Sequence, residues 1–174
     1  CSSLTAVVAG GLLAAMTGTL ERYPGLLVLV PAAIGMRGNI FGALGSRLAT
    51  SIHAGTFRIS RRPETLVMQN VIASGVLSLV TAVALAVLTK TLSPIFGLDS
   101  VIAISDLLVL SAVGALLSFL VLTAVTLAMA ARSAQRGWDL DDANAPLVSA
   151  VGDVVTLPAL LVASLLLEID LLTK

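Results

Sequence analysis

The chain has 174 residues, of which 57% are hydrophobic and only 11% are charged, and its formal net charge is zero. A water-soluble domain of this length would need many more charged side chains to cover its surface, so the composition predicts a protein of the lipid bilayer. The balanced charge argues against binding to nucleic acid, and the single cysteine, Cys1, excludes an internal disulfide and a cysteine-rich metal site.

Apolar stretches of the length needed to cross a bilayer occur five times along the chain. The first carries no charge and lacks the basic region of a secretory signal, so it is predicted to be a membrane helix. The pattern predicts an all-α, polytopic membrane protein in which residues 1–174 form a single transmembrane domain. The five predicted helices cover about residues 2–20, 24–51, 65–89, 103–131 and 145–167.

Basic residues are distributed unequally between the loops, and this asymmetry predicts the orientation. Cytoplasmic loops are enriched in lysine and arginine. The loops after the second and fourth helices are the basic ones, which places the N-terminus inside and the C-terminus outside. These loops contain Arg58, Arg61, Arg62, Arg132 and Arg136, whereas the opposite side has Arg22, Lys90 and Lys174. Because the chain begins with Cys1 and not methionine, its natural N-terminus is expected further upstream.

Asp153 is an acidic residue inside the fifth predicted helix. If that helix begins near Ala145, a rise of about 1.5 Å per residue places Asp153 on the order of 12 Å from the cytoplasmic surface, close to the middle of the bilayer. Buried acids in membranes are costly and usually face a pathway or a partner. The alternative is a structural carboxylate that hydrogen-bonds to a neighbouring helix.

The second predicted helix combines proline, glycine and asparagine at membrane depth. Pro31 and the glycines near it can loosen the helix and expose carbonyl groups, which makes Gly38 and Asn39 candidate pore-lining residues. An ordinary small-residue packing face is the alternative. This stripe recurs every four residues, at Gly38, Gly42, Ser46 and Thr50.

An acidic segment precedes the fifth predicted helix, from Asp139 to Asn144. It is expected to be a loop at the inner membrane surface that could gather cations. It could also be a solvated loop in which Asp142 or Asn144 caps the helix, and the two roles are compatible. The lone histidine, His53, has no metal-binding partner in the sequence and receives no role.

Three motifs together resemble the membrane domain of the MgtE-type magnesium channels and of the related solute-carrier magnesium transporters. They are Pro31-x-x-x-Gly35-x-x-Gly38-Asn39, Asp142-Ala-Asn144-Ala-Pro146 and Gly152-Asp153-Val-Val-Thr156. The resemblance covers nearly the whole chain and implies a homodimer, or a fused pair of repeats, whose ion path lies between two copies. It also implies that the second and fifth helices line this path and that Asp153 is the ion-binding aspartate.

The resulting hypothesis is a divalent cation channel or transporter in the cell membrane, with no enzyme activity and with magnesium as the favoured transported ion. Magnesium is usually held by one or two carboxylates and keeps several of its waters, which suits a pair of aspartates across a dimer axis. Arg37 departs from this hypothesis, because a basic side chain facing the path would repel cations. The candidate metal-site residues are Asp153, Asn39, Gly38, Thr156, Asn144 and Asp142.

Two other classes of protein remain open. An intramembrane aspartyl protease would need a second carboxylate close to Asp153, and Asp106 is the candidate. The Pro158-Ala159-Leu160 segment resembles a motif of those enzymes, but it lies on the same predicted helix as Asp153. The remaining class is a structural membrane subunit that docks through its glycine stripe.

Overall fold

The computed structural model describes residues 2–15, 17–22, 25–60, 62–97, 103–137 and 140–172, and every regular element in these ranges is a helix. A short 3₁₀ helix, Ser93–Phe96, follows the fourth α-helix, so the all-helical prediction is confirmed for the described residues. The α-helices are α1 (Ser2–Ala15), α2 (Thr17–Arg22), α3 (Leu26–His53), α4 (Leu66–Leu92), α5 (Ile104–Arg136) and α6 (Leu140–Leu172).

Three helical segments are long and apolar enough to cross a membrane, within the part of the chain that the structure describes. They are Leu26–His53, Leu66–Phe96 and Ile104–Arg136. At about 1.5 Å per residue, segments of this length exceed a hydrocarbon core of about 30 Å, so their ends extend into the head-group region. α6 contributes a shorter apolar stretch, Ala150–Leu166. The chain is therefore a helical membrane protein.

The helices pack as an antiparallel bundle in which α6 contacts α5, α3 and α1, and α4 contacts α5 and α3. Phe41 of α3 lies against Phe119 of α5, with ring centroids 6.1 Å apart. The outward face of α4 is rich in exposed Val and Leu, including Val76 and Val80, as expected for a surface that meets lipid. Hydroxyl groups on this helix bond to its own backbone; Ser78 Oγ, for example, donates to the Ser74 carbonyl at 2.8 Å.

Two apolar clusters occupy the two halves of the bundle. One contains the first turns of α3 from Leu26 to Ala33, together with Leu110 and Leu160. The other contains the α3 stretch from Ile40 to Ala49, with Leu122 and Val148. The middle of α3, between these clusters, therefore carries its polar and glycine residues at mid-height in the bundle.

The second, third and fourth predicted helices correspond to α3, α4 and α5, which begin one or two residues later and end two to five residues later than predicted. The first predicted helix corresponds to α1 and α2. The fifth was expected to begin near Ala145 after an acidic loop, but α6 begins at Leu140, so Asp142 and Asn144 lie on the helix and the loop prediction was wrong. A helix end outside the hydrocarbon needs no apolar residues, and carboxylates are favoured near its positive N-terminus.

One end of the bundle collects the basic loops. Arg58 and Arg62 lie between α3 and α4, and Arg132 and Arg136 end α5, and all four are exposed. Gly137 closes α5 in the left-handed conformation, with φ of 68°, and its N–H donates to the Ser133 carbonyl at 2.8 Å. Because α3 and α5 both end on this side, the basic residues that follow α3 and those that end α5 lie at the same end of the bundle.

Candidate functional site

α3 and α6 pack side by side and leave a groove of about 490 Å³ between them. Asp153 from α6 and Asn39 from α3 supply its polar side chains. Asp153 is the single carboxylate among the described residues that line it. The lining residues are Ile34, Gly35, Gly38, Asn39, Gly42, Ala43 and Asp153.

Helical periodicity explains why these α3 residues share one face. Residues three and four apart on a helix lie above one another, so Gly35, Gly38, Asn39 and Gly42 form a single strip. Asn39 is exposed and Gly38 is half-buried in the single chain. The Asn39 amide and the three glycines of this strip therefore line the same groove as the Asp153 carboxylate.

The groove lies at the middle of the bundle. Asn39 stands 13 residues after Leu26 and 14 before His53, so it is the midpoint of the 28-residue α3. Asp153 lies beside it, about 20 Å along α6 from Leu140 at 1.5 Å per residue. The expected depth of about 12 Å for Asp153 assumed that the helix begins at Ala145, whereas α6 begins at Leu140. Asp153 nevertheless lies beside Asn39, at mid-height of the bundle.

The Asp153 carboxylate is half-buried and has no hydrogen-bond or ion-pair partner among the described residues. A structural carboxylate in a membrane helix would be expected to hydrogen-bond to a hydroxyl or amide on a neighbouring helix. The absence of such a bond favours the hypothesis that Asp153 binds a ligand over the hypothesis that it holds two helices together.

The glycines of this face have free space in front of them. A Cβ added to Gly35 or to Gly42 would meet no other atom within 4 Å. These glycines are therefore not needed for close packing inside one chain. Gly114 on α5 differs from them, because a Cβ there would lie 2.7 Å from Leu160 Cδ2. The absence of side chains there keeps the groove wide and leaves backbone accessible along its wall.

Arg37 does not line the groove. It follows the core side of α3, with Ala33, Ile40 and Leu44, and is only 6% exposed. Asn39 lies two residues on, about 200° around the helix, so the two side chains leave α3 on nearly opposite sides. The basic side chain therefore does not obstruct the groove. The acidic residue Glu64 is exposed on the loop before α4, whereas Arg37 is buried in the bundle.

Three of the six predicted site residues, Asp153, Asn39 and Gly38, come together in the groove. Thr156, one turn after Asp153, is fully buried, does not line the groove, and its Oγ1 has no hydrogen-bond partner. The side chains of Asp142 and Asn144 lie outside the described part of the structure.

Sequence reasoning missed the contribution of two apolar groove residues, Ile34 and Ala43, and the role of Gly114. The helical repeat around Asn39 could have predicted that Ile34 and Ala43 lie on the same face. For Gly114, the available signal was a glycine in the middle of the apolar α5.

Asp106, the second carboxylate that an aspartyl protease would need, lies in the first turn of α5, and its Oδ1 accepts a hydrogen bond from Ser105 Oγ at 3.2 Å. It is not part of the groove. The described residues also contain no group of three or more His, Cys, Asp and Glu side chains that could hold a metal ion. The groove thus presents one carboxylate, one amide and glycine backbone.

A comparison with protein families gives one match. The family model MgtE, described as a divalent cation transporter, matches residues 30–163, which is most of the chain and includes the whole groove. The chain belongs to the MgtE divalent cation transporter family. The resemblance seen in the motifs is thereby confirmed. Neither the comparison with curated proteins nor that with solved structures gives a match.

Membership of the MgtE family establishes the class of activity. The family is one of transporters and not of enzymes, and its substrates are divalent cations. The matched segment begins at Val30, within the first apolar cluster, and ends at Ala163 on α6. Both walls of the groove therefore lie inside the region that defines the MgtE family.

Proposed function

We propose that the chain transports magnesium across the cell membrane through a path between two copies, with Asp153 as the central ion-binding residue. The single observation that carries this proposal is the groove at mid-height of the bundle, which joins Asp153 and Asn39 in a chain of the MgtE family. Charged residues at this depth are expensive in lipid and usually mark ion pathways.

The ligands of the groove favour a hard divalent cation. Its polar side chains are a carboxylate and an amide, and the described lining contains no histidine or cysteine. Oxygen ligands suit magnesium and calcium, whereas softer metals prefer nitrogen and sulfur. Magnesium keeps several waters and needs only one or two carboxylates, and the groove has room for a hydrated ion.

A second copy of the chain supplies what one groove lacks. One carboxylate does not neutralise a divalent cation, and the groove is open on one side. A two-fold dimer places two Asp153 side chains across the axis, where their mutual repulsion in a medium of low dielectric constant is relieved by a bound cation. The open glycine face of α3 allows the two copies to approach.

The same proposal includes the arrangement in the membrane. The chain crosses five times, with α1 and α2 together as the first crossing and α6 as the last. The exposed arginines between α3 and α4 and at the end of α5 face the cytoplasm, so the N-terminus is inside and the C-terminus outside. Asp142 and Asn144 then lie at the cytoplasmic mouth, where their oxygens could attract cations.

The direct test is Asp153→Asn in purified protein reconstituted into liposomes that contain a magnesium-sensitive dye. The amide keeps the size of the side chain and removes the charge, so magnesium uptake should fall to the level of empty liposomes. Asp106→Asn is the matched control and should retain uptake, because Asp106 is outside the groove. Normal uptake by a folded Asp153→Asn protein would exclude Asp153 as the central ligand.

A further inference from the structure

The environment of Arg37 is not explained by cation transport. Its guanidinium group is buried inside a single chain, and Nη1 has no hydrogen-bond partner among the described residues. Arginine keeps its proton in proteins, so this is a permanent positive charge. No described carboxylate forms an ion pair with it, although a buried charge without a partner is strongly destabilising.

A small cavity lies next to this side chain, between α3, α4 and α5. Its volume is about 20 Å³, enough for about one water-sized guest. Its polar lining comes from Arg37, Ser78, Thr81 and Ser111. Met36, on the rim, is 38% exposed, so the cavity has an opening between α3 and α4.

Two groups in this lining have hydrogens to donate. Ser111 Oγ, like Arg37 Nη1, is buried without a hydrogen-bond partner. The other two hydroxyls already donate within α4, Ser78 to the Ser74 carbonyl at 2.8 Å and Thr81 to the Leu77 carbonyl at 2.8 Å. The cavity therefore contains two hydrogen-bond donors without a described acceptor, the Arg37 guanidinium N–H and the Ser111 O–H.

We propose that this cavity binds a small inorganic anion, a halide such as chloride, held by Arg37 and Ser111. A water molecule could accept the same hydrogen bonds, but it would leave the buried positive charge uncompensated. An anion satisfies the two donors and neutralises the charge. A halide is only somewhat larger than a water molecule, and the cavity is partly open, so a single-atom anion needs a smaller adjustment of the lining than a polyatomic anion such as sulfate.

The site is separate from the cation groove. Arg37 and Asn39 leave α3 on nearly opposite sides, so an anion at Arg37 and a cation at Asp153 would lie at the same height across one helix. Neutralising Arg37 would remove a repulsion that a cation in the groove otherwise experiences, because charges are weakly screened in the bilayer. Anion binding is thus predicted from the cavity itself and is independent of which cation the groove takes.

The first experiment locates the anion. Crystals of the full chain grown or soaked in bromide should show an anomalous peak in the cavity, within hydrogen-bonding distance of Arg37 and Ser111. Crystals of Arg37→Met in the same bromide solution should show no such peak. A peak absent from the unmodified protein, with only water density in the cavity, would overturn the proposal.

The second experiment measures stability and needs no transport. The unfolding temperature of the detergent-solubilised protein should rise with chloride or bromide, and not with gluconate at equal ionic strength. Above the dissociation constant, each tenfold increase in halide should raise it by about 3 to 6 °C. Arg37→Met should abolish this dependence, and Ser111→Ala should shift it to higher halide concentrations.

Arg47→Met is the matched control, since Arg47 is an exposed arginine on the same helix whose Nη1 donates to Asn70 Oδ1 at 3.3 Å. The halide dependence should be unchanged in this variant. If the halide effect persists in Arg37→Met or disappears in Arg47→Met, the anion binds elsewhere and the proposal fails. Loss of magnesium transport in Asp153→Asn would not affect either measurement.

Discussion

Asp153 and Arg37 are opposite charges at one level of the bundle, and α3 keeps them apart. Asp153 lines the groove with Asn39, whereas Arg37 is directed to the core side of α3, where it shares a cavity lining with Ser111, whose Oγ also lacks a described hydrogen-bond partner. An ion pair between them would neutralise both and remove the carboxylate from cation binding. Their separation leaves the groove negative, as a cation path requires.

Gly114 on α5 is a described glycine at which a side chain would have little room. A Cβ placed there would lie 2.7 Å from Leu160 Cδ2 and 3.5 Å from Arg37 Nη2. Leu160 is fully buried and has little freedom to move. The glycine therefore lets α6 pack against α5 and leaves space for the arginine.

Gly114→Ala should destabilise the protein by about 1 to 3 kcal/mol, because an extra methyl group in a packed core forces buried side chains out of position. Gly42→Ala is the control: it makes the same change where nothing lies within 4 Å, and it should be neutral or slightly stabilising in a helix. Thermal unfolding in detergent measures both. Equal unfolding temperatures for the two variants would show that Leu160 yields without cost.

Single residues differ in how far the sequence predicted them. Asp153 and Asn39 were identifiable because a carboxylate and an amide are conspicuous within apolar helices. The position of Arg37 was not, because the sequence gives its place on the helix but not which helix packs against each face. Thr156 shows the same limit, since it shares a motif with Asp153 but is buried away from the groove.

At the scale of elements, α3 and α6 form the two walls of the groove. Their lengths followed from apolar runs, and the error at the start of α6 came from treating polar residues as a loop. Asp141, Asp142 and Asn144 lie in the first turns of α6, where carboxylates are favoured by the positive end of the helix and no apolar run is needed. Pro31 did not break α3 either, which is helical from Leu26 to His53.

The open face of α3 should be required for transport and not for folding of the chain. Gly42→Val adds a branched side chain whose Cβ would meet no other atom within 4 Å but which narrows the groove, so magnesium uptake should fall at least tenfold while the unfolding temperature changes little. Gly10→Val, which also adds its side chain into open space, but on α1, is the control and should retain uptake. Full uptake by Gly42→Val would show that ions do not pass this face.

At the scale of the whole molecule, one chain supplies half of the proposed path. The described groove has one carboxylate and an open side, and a Cβ added at Gly35 or Gly42 beside it would meet no other atom within 4 Å. The homodimer followed from the family resemblance and stays a prediction, because contacts between copies leave no periodic pattern in the sequence distinct from contacts with lipid. Only the small residues of this face indicate it.

A cysteine at Ala43 should link two copies. In a Cys1→Ser background, Ala43→Cys in membranes should form a covalent dimer with a short bismaleimide reagent, since this residue lies in the groove near the proposed two-fold axis. Val121→Cys, on an exposed face of α5, is the control and should remain monomeric on a denaturing gel. A dimer formed only through Val121 would place the interface on another face.

The midpoint position of Asn39 on α3 has an electrical consequence. A cation held there has passed through about half of the transmembrane voltage, whichever side it entered from. For a divalent ion this corresponds to about 2.3 kcal/mol at 100 mV. A negative cell interior would therefore draw the ion to the site and also favour its departure inward, so that the voltage acts about equally on loading and on release.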